Sequence, residues 1–191
     1  LLRDLAQMAE QELAAVHLAT MDELTMLCNR RGFEALALRA LGICRRMDKP
    51  ASLIFIDLDL FKPINDRFGH AEGDRALVSF SHLLKGAFRE SDVLGRLGGD
   101  EFAVLVTNLG KGELAPALAR LRQAVDAHNQ SAQRGYELLY SVGAVEFVPA
   151  RHADVAALML EADALMYEQK QLRSCSRGEG TAVQGNERAT V

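Results

Sequence analysis

The chain is poor in cysteine: Cys28, Cys44 and Cys175 are the only three among 191 residues. They form no CxxC pair and have no partnering histidine, which argues against structural zinc and against a disulfide framework. A reducing cytoplasm is the setting expected from that usage. No apolar run approaches the length that spans a bilayer, and no signal peptide is visible. A basic surplus is missing as well, since 22 Lys and Arg stand against 26 Asp and Glu, a net charge of −4. A general nucleic-acid binder carries a basic face, so nucleic acid is not the expected partner. A phosphate ligand stays open, because a divalent metal can bring the positive charge locally. There is no internal repeat. The first residue is Leu1 rather than Met, which predicts a fragment, with any sensor or membrane anchor upstream.

What is present fits one globular domain with modest extensions. Hydrophobic residues make up 49% of the chain and charged residues 25%. A domain of this size buries roughly 70% of its unfolded surface and needs no staples. Residues 1–19 carry Leu2, Leu5, Ala9, Leu13 and Val16 at helical spacing. That thin stripe suits either a coiled-coil stub from an upstream domain or a helix lying against the main one. Helices are predicted at 29–48, 71–88, 113–128 and 153–172, with a loop or short helical turn at 61–70. The front half of 52–60 is continuously apolar, as in a strand covered on both faces. Its end alternates, so that Phe55, Asp57 and Asp59 share a face. Tyr136–Phe147 is a second strand candidate. From Ser174 onward the apolar periodicity stops, and a disordered tail is expected. The pattern predicts an α/β sandwich with a mixed, mostly antiparallel sheet flanked by helices.

The chemistry concentrates in a few segments. Gly98-Gly99 lies between the apolar runs Val93-Leu94 and Phe102–Val106. That arrangement signals a tight hairpin, because glycine reaches positive φ without steric cost. The hairpin needs the glycines but not the acids Asp100 and Glu101 on its rim, which suggests a metal-carried phosphate. Asp57 and Asp59 end a buried strand, where carboxylates are costly unless paired or metal-bound. For Asp59 alone, emergence into solvent explains the acid equally well. If the hairpin lies beside the strand, Asp57 and Asp100 can face one cation, and two carboxylates plus phosphate oxygens is the usual way magnesium is held. Asn65 and Asp74 offer an amide and a carboxylate that together match a guanine edge. Taken singly, each reads as a turn or cap residue. Lys62 could meet phosphate, and His70 reads as a cap or packing residue.

These segments resemble the GGDEF family of diguanylate cyclases over about residues 20–173. The opening Asp22-Glu23-Leu24-Thr25-Met26-Leu27-Cys28-Asn29-Arg30-Arg31 is similar to that family's D-x-L-T-x-L-x-N-R-R segment. Asp57-Leu58-Asp59, Phe61-Lys62, Ile64-Asn65-Asp66, Gly69-His70 and Gly73-Asp74 follow its nucleotide-binding stretch. Ser141-Val142-Gly143 and Ala162–Tyr167 match its late strand and last helix. The resemblance implies a palm-like nucleotidyl-cyclase fold and the condensation of two GTP into cyclic di-GMP with release of pyrophosphate. It implies Mg²⁺ or Mn²⁺ on Asp57, Asp100 and the Leu58 carbonyl, and guanine on Asn65 and Asp74. Glu101 matches the second acid of the turn, as a metal ligand or in activating the hydroxyl. Gly98 and Gly99 would let the backbone approach the nucleotide, beside Phe61 and Lys62. One subunit holds one GTP, so the resemblance also implies a homodimer. Arg89-Glu90-Ser91-Asp92 falls where the family has its inhibitory product site for cyclic di-GMP, with Arg120 or Arg122 adding a second arginine.

One segment departs from the family. Its last helix usually ends A-K-x-x-G-R-N, where Lys and Arg grip the terminal phosphates. Here Lys170 is in place, but Arg173 replaces the glycine and Ser174 stands at the arginine position. Arg173 is expected to reach the phosphate from one residue earlier. Failing that, the chain would be a weak or inactive module that binds GTP or cyclic di-GMP as an effector. A cyclase acting on ATP is a third possibility, against which Asn65 and Asp74 speak. The expected layout is a signalling helix at 1–19, the cyclase domain at 20–173 and a tail at 174–191.

Overall fold

The computed structural model describes the backbone of residues 18–180, and the side chains within that span except those of Lys111 and of 172–180. Most of the stripe at 1–19 and the end of the tail therefore lie outside the described residues. Helix α1 (Arg30–Met47) starts where Asn29 accepts a hydrogen bond from Gly32 N–H, and stops at Asp48 in the left-handed conformation. Strand β1 (Ala51–Asp59) follows, then α2 (Phe61–Phe68) and α3 (His70–Ala87). The hairpin is β2 (Val93–Gly98) and β3 (Glu101–Thr107). Helix α4 (Ala115–Ala132), strand β4 (Leu139–Glu146) and helix α5 (Val155–Gly180) complete the described chain.

The sheet has the order β2-β3-β1-β4, with every neighbouring pair antiparallel. Among the described residues, the one parallel contact is an isolated bridge from Cys28 to Gly95. β1 is central, which accounts for its unbroken apolar front. Its two faces feed two cores. Ile54, Ile56 and Leu58 pack with Phe80, Leu84 and Leu121 from α3 and α4. Leu53 and Phe55 pack with Phe33 and Leu41 from α1 and with Leu158 and Ala162 from α5. The result is the expected sandwich, with two helices on each face.

Two elements differ from the sequence expectation. Segment 61–70 contains a two-turn helix, reached through Leu60 at φ 61°, with Pro63 in its first turn where a missing N–H costs nothing. Helix α5 continues past Leu172 to Gly180. No described helix is long and apolar enough to cross a membrane.

Candidate active site

The site residues gather at one end of the sheet. Asp57 pairs in register with Glu101, so their side chains stand side by side on the face covered by α1 and α5. The N–H of Leu58 donates to the Asp100 carbonyl at 3.1 Å, which locks the turn against the end of β1. A bulge between Arg96 and Gly98 precedes the turn, and Gly99 sits at φ 46°. A Cβ at Gly98 or Gly99 would meet nothing within 4 Å. Gly99 is thus required by backbone conformation rather than by crowding, and the outer side of the turn is open.

Two arginines hold this turn from behind. Arg96 Nε donates to the Gly99 carbonyl at 2.9 Å, while its Nη1 lies 3.2 Å from both carboxylate oxygens of Asp22. Arg30 Nε donates to the Leu97 carbonyl at 3.3 Å and its Nη2 to Glu101 at 3.4 Å. The Asp22–Arg31 segment is therefore a brace for the turn. Burial works against the Asp22 carboxylate, but two hydrogen bonds from Thr25 and the Arg96 charge outweigh it and leave its pKa below the ordinary value.

A lysine closes the acid cluster. Gly143 on β4 lies against α5 so closely that a Cβ there would be 1.9 Å from the Ala162 carbonyl oxygen. This contact sets the helix on the strand, and Gln169 Oε1 accepts from Val142 N–H at 3.0 Å. One turn beyond Met166, Lys170 Nζ then reaches Asp57 Oδ1 at 2.5 Å and Asp59 Oδ1 at 3.8 Å. Ser141 Oγ donates to Asp59 at 2.9 Å. Burial raises the Asp57 pKa; Lys170 opposes the rise, and the charges of Asp100 and Asp59 add to it. Glu101 is also raised, by burial first and then by Asp163, Asp100 and Asp57, against the pull of Arg30. For Lys170, burial disfavours the charge, yet the three aspartates outweigh it and its pKa rises.

The residues expected to read a base lie on α2 and α3. Asn65 is half-buried and Asp74 exposed. A Cβ on Gly73 would be 2.0 Å from Asn65 Oδ1, so the glycine makes room for that amide beside Asp74. Phe61 is half-buried at the start of α2, and Lys62 is exposed. The side chain of Arg173 lies outside the described residues.

At the far end of β2, a cleft of about 700 Å³ is lined by Arg89, Asp92, Lys85, Met26, Leu36 and Cys28, among others. Asp92 is 8% exposed. Its Oδ2 accepts from Arg89 N–H at 2.9 Å, while its Oδ1 is buried with no partner among the described residues. Arg120 does not line this cleft. It reaches the same corner, with its guanidinium donating twice to the Ala87 carbonyl. Arg122 lines a different cavity, between α4 and β4.

The bracing residues Arg30, Arg96 and Ser141 were not expected as site residues. The only signal for the first two was their place in the family's opening segment and just before the glycines. Among the described residues, no three His, Cys, Asp or Glu side chains converge closely enough to hold an ion unaided. Paired carboxylates that need further oxygens suit magnesium, which takes one or two carboxylates together with substrate phosphates.

The fold is an antiparallel four-stranded sheet flanked by helices, with carboxylates clustered beside an open glycine turn. Residues 19–175 match the family model described as diguanylate cyclase, GGDEF domain, and the chain belongs to that family. It is 40% identical over 176 residues to the diguanylate cyclase TpbB of Pseudomonas aeruginosa, covering 90% of this chain and 40% of that protein. The crystal structure of the coiled coil and GGDEF domain of DgcB from Caulobacter crescentus, in complex with c-di-GMP, superposes with a TM-score of 0.79 at 25% identity, covering 88% of this chain and 90% of that one. The GGDEF domain of TpbB itself superposes with a TM-score of 0.72 at 38% identity, over 80% of this chain and 89% of that one. The chain spans less than half the length of the curated relatives it matches.

Proposed function

We propose that this domain is a diguanylate cyclase that condenses two GTP into cyclic di-GMP as a homodimer. The observation that carries the reading is the turn itself: Asp100 is held against the end of β1 beside Asp57, and Gly99 keeps its outer side open. Asp57 and Asp100, with the Leu58 carbonyl, would hold Mg²⁺ or Mn²⁺. When bound, such an ion neutralises charge at the transferring phosphorus and lowers the pKa of the attacking hydroxyl. Asn65 and Asp74 hold the guanine edge, with Phe61 and Lys62 beside it. Gly98 and Gly99 offer backbone to the phosphates, and Lys170 and Arg173 take the terminal ones. Glu101, next to Asp57, is suited to accept the hydroxyl proton, because its raised pKa makes it a better base than a solvated glutamate.

In the reaction, the 3′-oxygen of one GTP bonds to the α-phosphorus of the other. The bond from that phosphorus to the bridging oxygen breaks, and pyrophosphate leaves. Two such steps close the ring, which requires two copies of the chain face to face, each bearing one GTP.

The unpartnered Asp92 Oδ1 in the Arg89 cleft supports product feedback. A buried acceptor without a donor is costly, and a guanine N–H would satisfy it while Arg89 forks onto the base or phosphate. Arg120 stands at the same corner as the second arginine. Arg89→Ala should relieve inhibition by cyclic di-GMP, and an unchanged inhibition curve would remove the feedback site from the proposal.

The test of the activity is incubation with GTP and Mg²⁺, with products separated by chromatography. Cyclic di-GMP and pyrophosphate are expected, with Asp100→Ala reducing turnover at least about 100-fold, in line with the loss of a transition-state charge partner. GTP binding without any cyclic product would instead favour the effector reading, which rests on Ser174 at the family's arginine position.

A further inference from the structure

We infer that Lys170 is the built-in counter-cation of the metal site: its ammonium occupies the carboxylate cluster until metal and nucleotide arrive together. The inference rests on the reading of Asp57 and Asp100 as metal ligands. Lys170 Nζ lies 2.5 Å from Asp57 Oδ1 and 3.8 Å from Asp59 Oδ1, and Asp100 adds its charge to the same ammonium. Asp57 and Asp59 are both largely buried and both within reach of one ammonium, and buried carboxylates are disfavoured without a cation beside them. The lysine supplies one from within the chain.

The placement has a consequence for order of binding. A divalent ion on Asp57 would stand within a few ångströms of the ammonium held on Oδ1, and the two positive charges repel each other, so metal binding drives Lys170 away from the cluster. In the absence of nucleotide, the expelled ammonium gives up its contacts with Asp57 and Asp59. With a triphosphate present, it has phosphate oxygens to move to, and its side chain is exposed enough to swing toward them. Metal and nucleotide therefore favour each other through one side chain, a reciprocal coupling of binding free energies. Helix α5 is rigidly registered on β4 through Gly143 and Gln169, so the lysine head moves while its Cα stays in place. The arrangement keeps metal off the site when no substrate is present.

The test compares Mn²⁺ binding without nucleotide, read by the electron paramagnetic resonance signal of free Mn²⁺, in the wild-type chain and in Lys170→Met. Circular dichroism confirms that each variant is folded. The expected result is at least tenfold tighter Mn²⁺ binding by Lys170→Met, abolished in Lys170→Met/Asp100→Ala. A non-hydrolysable GTP analogue should then tighten Mn²⁺ binding more in the wild type than in Lys170→Met. Equal or weaker Mn²⁺ binding by Lys170→Met that still depends on Asp100 overturns the counter-cation role and leaves the metal site standing. Absence of nucleotide-free Mn²⁺ binding in both chains overturns this inference, and absence of Mn²⁺ binding with the GTP analogue present as well overturns the metal reading.

Discussion

Asp57 shows how one carboxylate takes its character from its neighbours. Its pKa is raised by burial and by Asp100 and Asp59, and held back by Lys170. Removing the ammonium in Lys170→Met should raise the Asp57 pKa further, which a carboxyl NMR titration of the metal-free chain reads directly. Because the native pKa already exceeds the unfolded one, deprotonating Asp57 costs stability as pH rises through that window. Asp22 has the opposite sign. Its pKa is lowered in the native state, so its contribution is present above the unfolded value and lost as pH falls through the native one. Asp22→Asn should cost about 1.5–3 kcal/mol near neutral pH, the range for hydrogen bonds to a charged group. That loss should shrink on acidification, as followed by urea unfolding at several pH values. A pH-independent cost would mean that the Arg96 and Thr25 contacts do not act through charge.

Among the elements, the seating of α5 on β4 decides where Lys170 arrives. Gly143→Ala places a methyl within 1.9 Å of the Ala162 carbonyl oxygen and 2.4 Å of Met166 N, both backbone atoms that cannot step aside alone. The helix must lift, at a cost of about 1–3 kcal/mol by the measure of overpacked cores. Urea unfolding should show that loss, and catalytic rate should fall more than stability alone explains, since the Lys170 head is displaced. Elements such as these were largely legible in the sequence. The unbroken run Leu53–Ile56 announced a central strand, and Gly98-Gly99 announced the hairpin, because each pattern has one inexpensive structural solution. Segment 61–70 was harder to read. Its helix spans only two turns and contains Pro63, so periodicity carries little signal there.

For the whole molecule, the sequence brought Asp57 and Asp100 together only on the condition that the hairpin pairs with β1. The register from Ala51↔Thr107 to Asp57↔Glu101 supplies that condition. The bracing by Arg30 and Arg96 and the Ser141–Asp59 bond were not legible. Apart from the local Arg96–Gly99 contact, they depend on contacts across 67 to 82 residues of chain, which no local pattern encodes. The proposed base pocket carries its own prediction at this scale. Asn65→Ala should raise the KM for GTP about 10- to 100-fold, the range set by losing a hydrogen bond to a base, and should narrow the preference for GTP over ATP. Steady-state kinetics with both nucleotides check it.

The most direct measurement is the initial rate of cyclic di-GMP formation from GTP and Mg²⁺ across a wide range of protein concentration. Two copies of the chain that must meet, each with one GTP, give a rate per mole of protein that rises with concentration and then levels off. No cyclic di-GMP at any concentration, or a rate per mole independent of concentration with a chain that stays monomeric, contradicts an active site completed by a second copy.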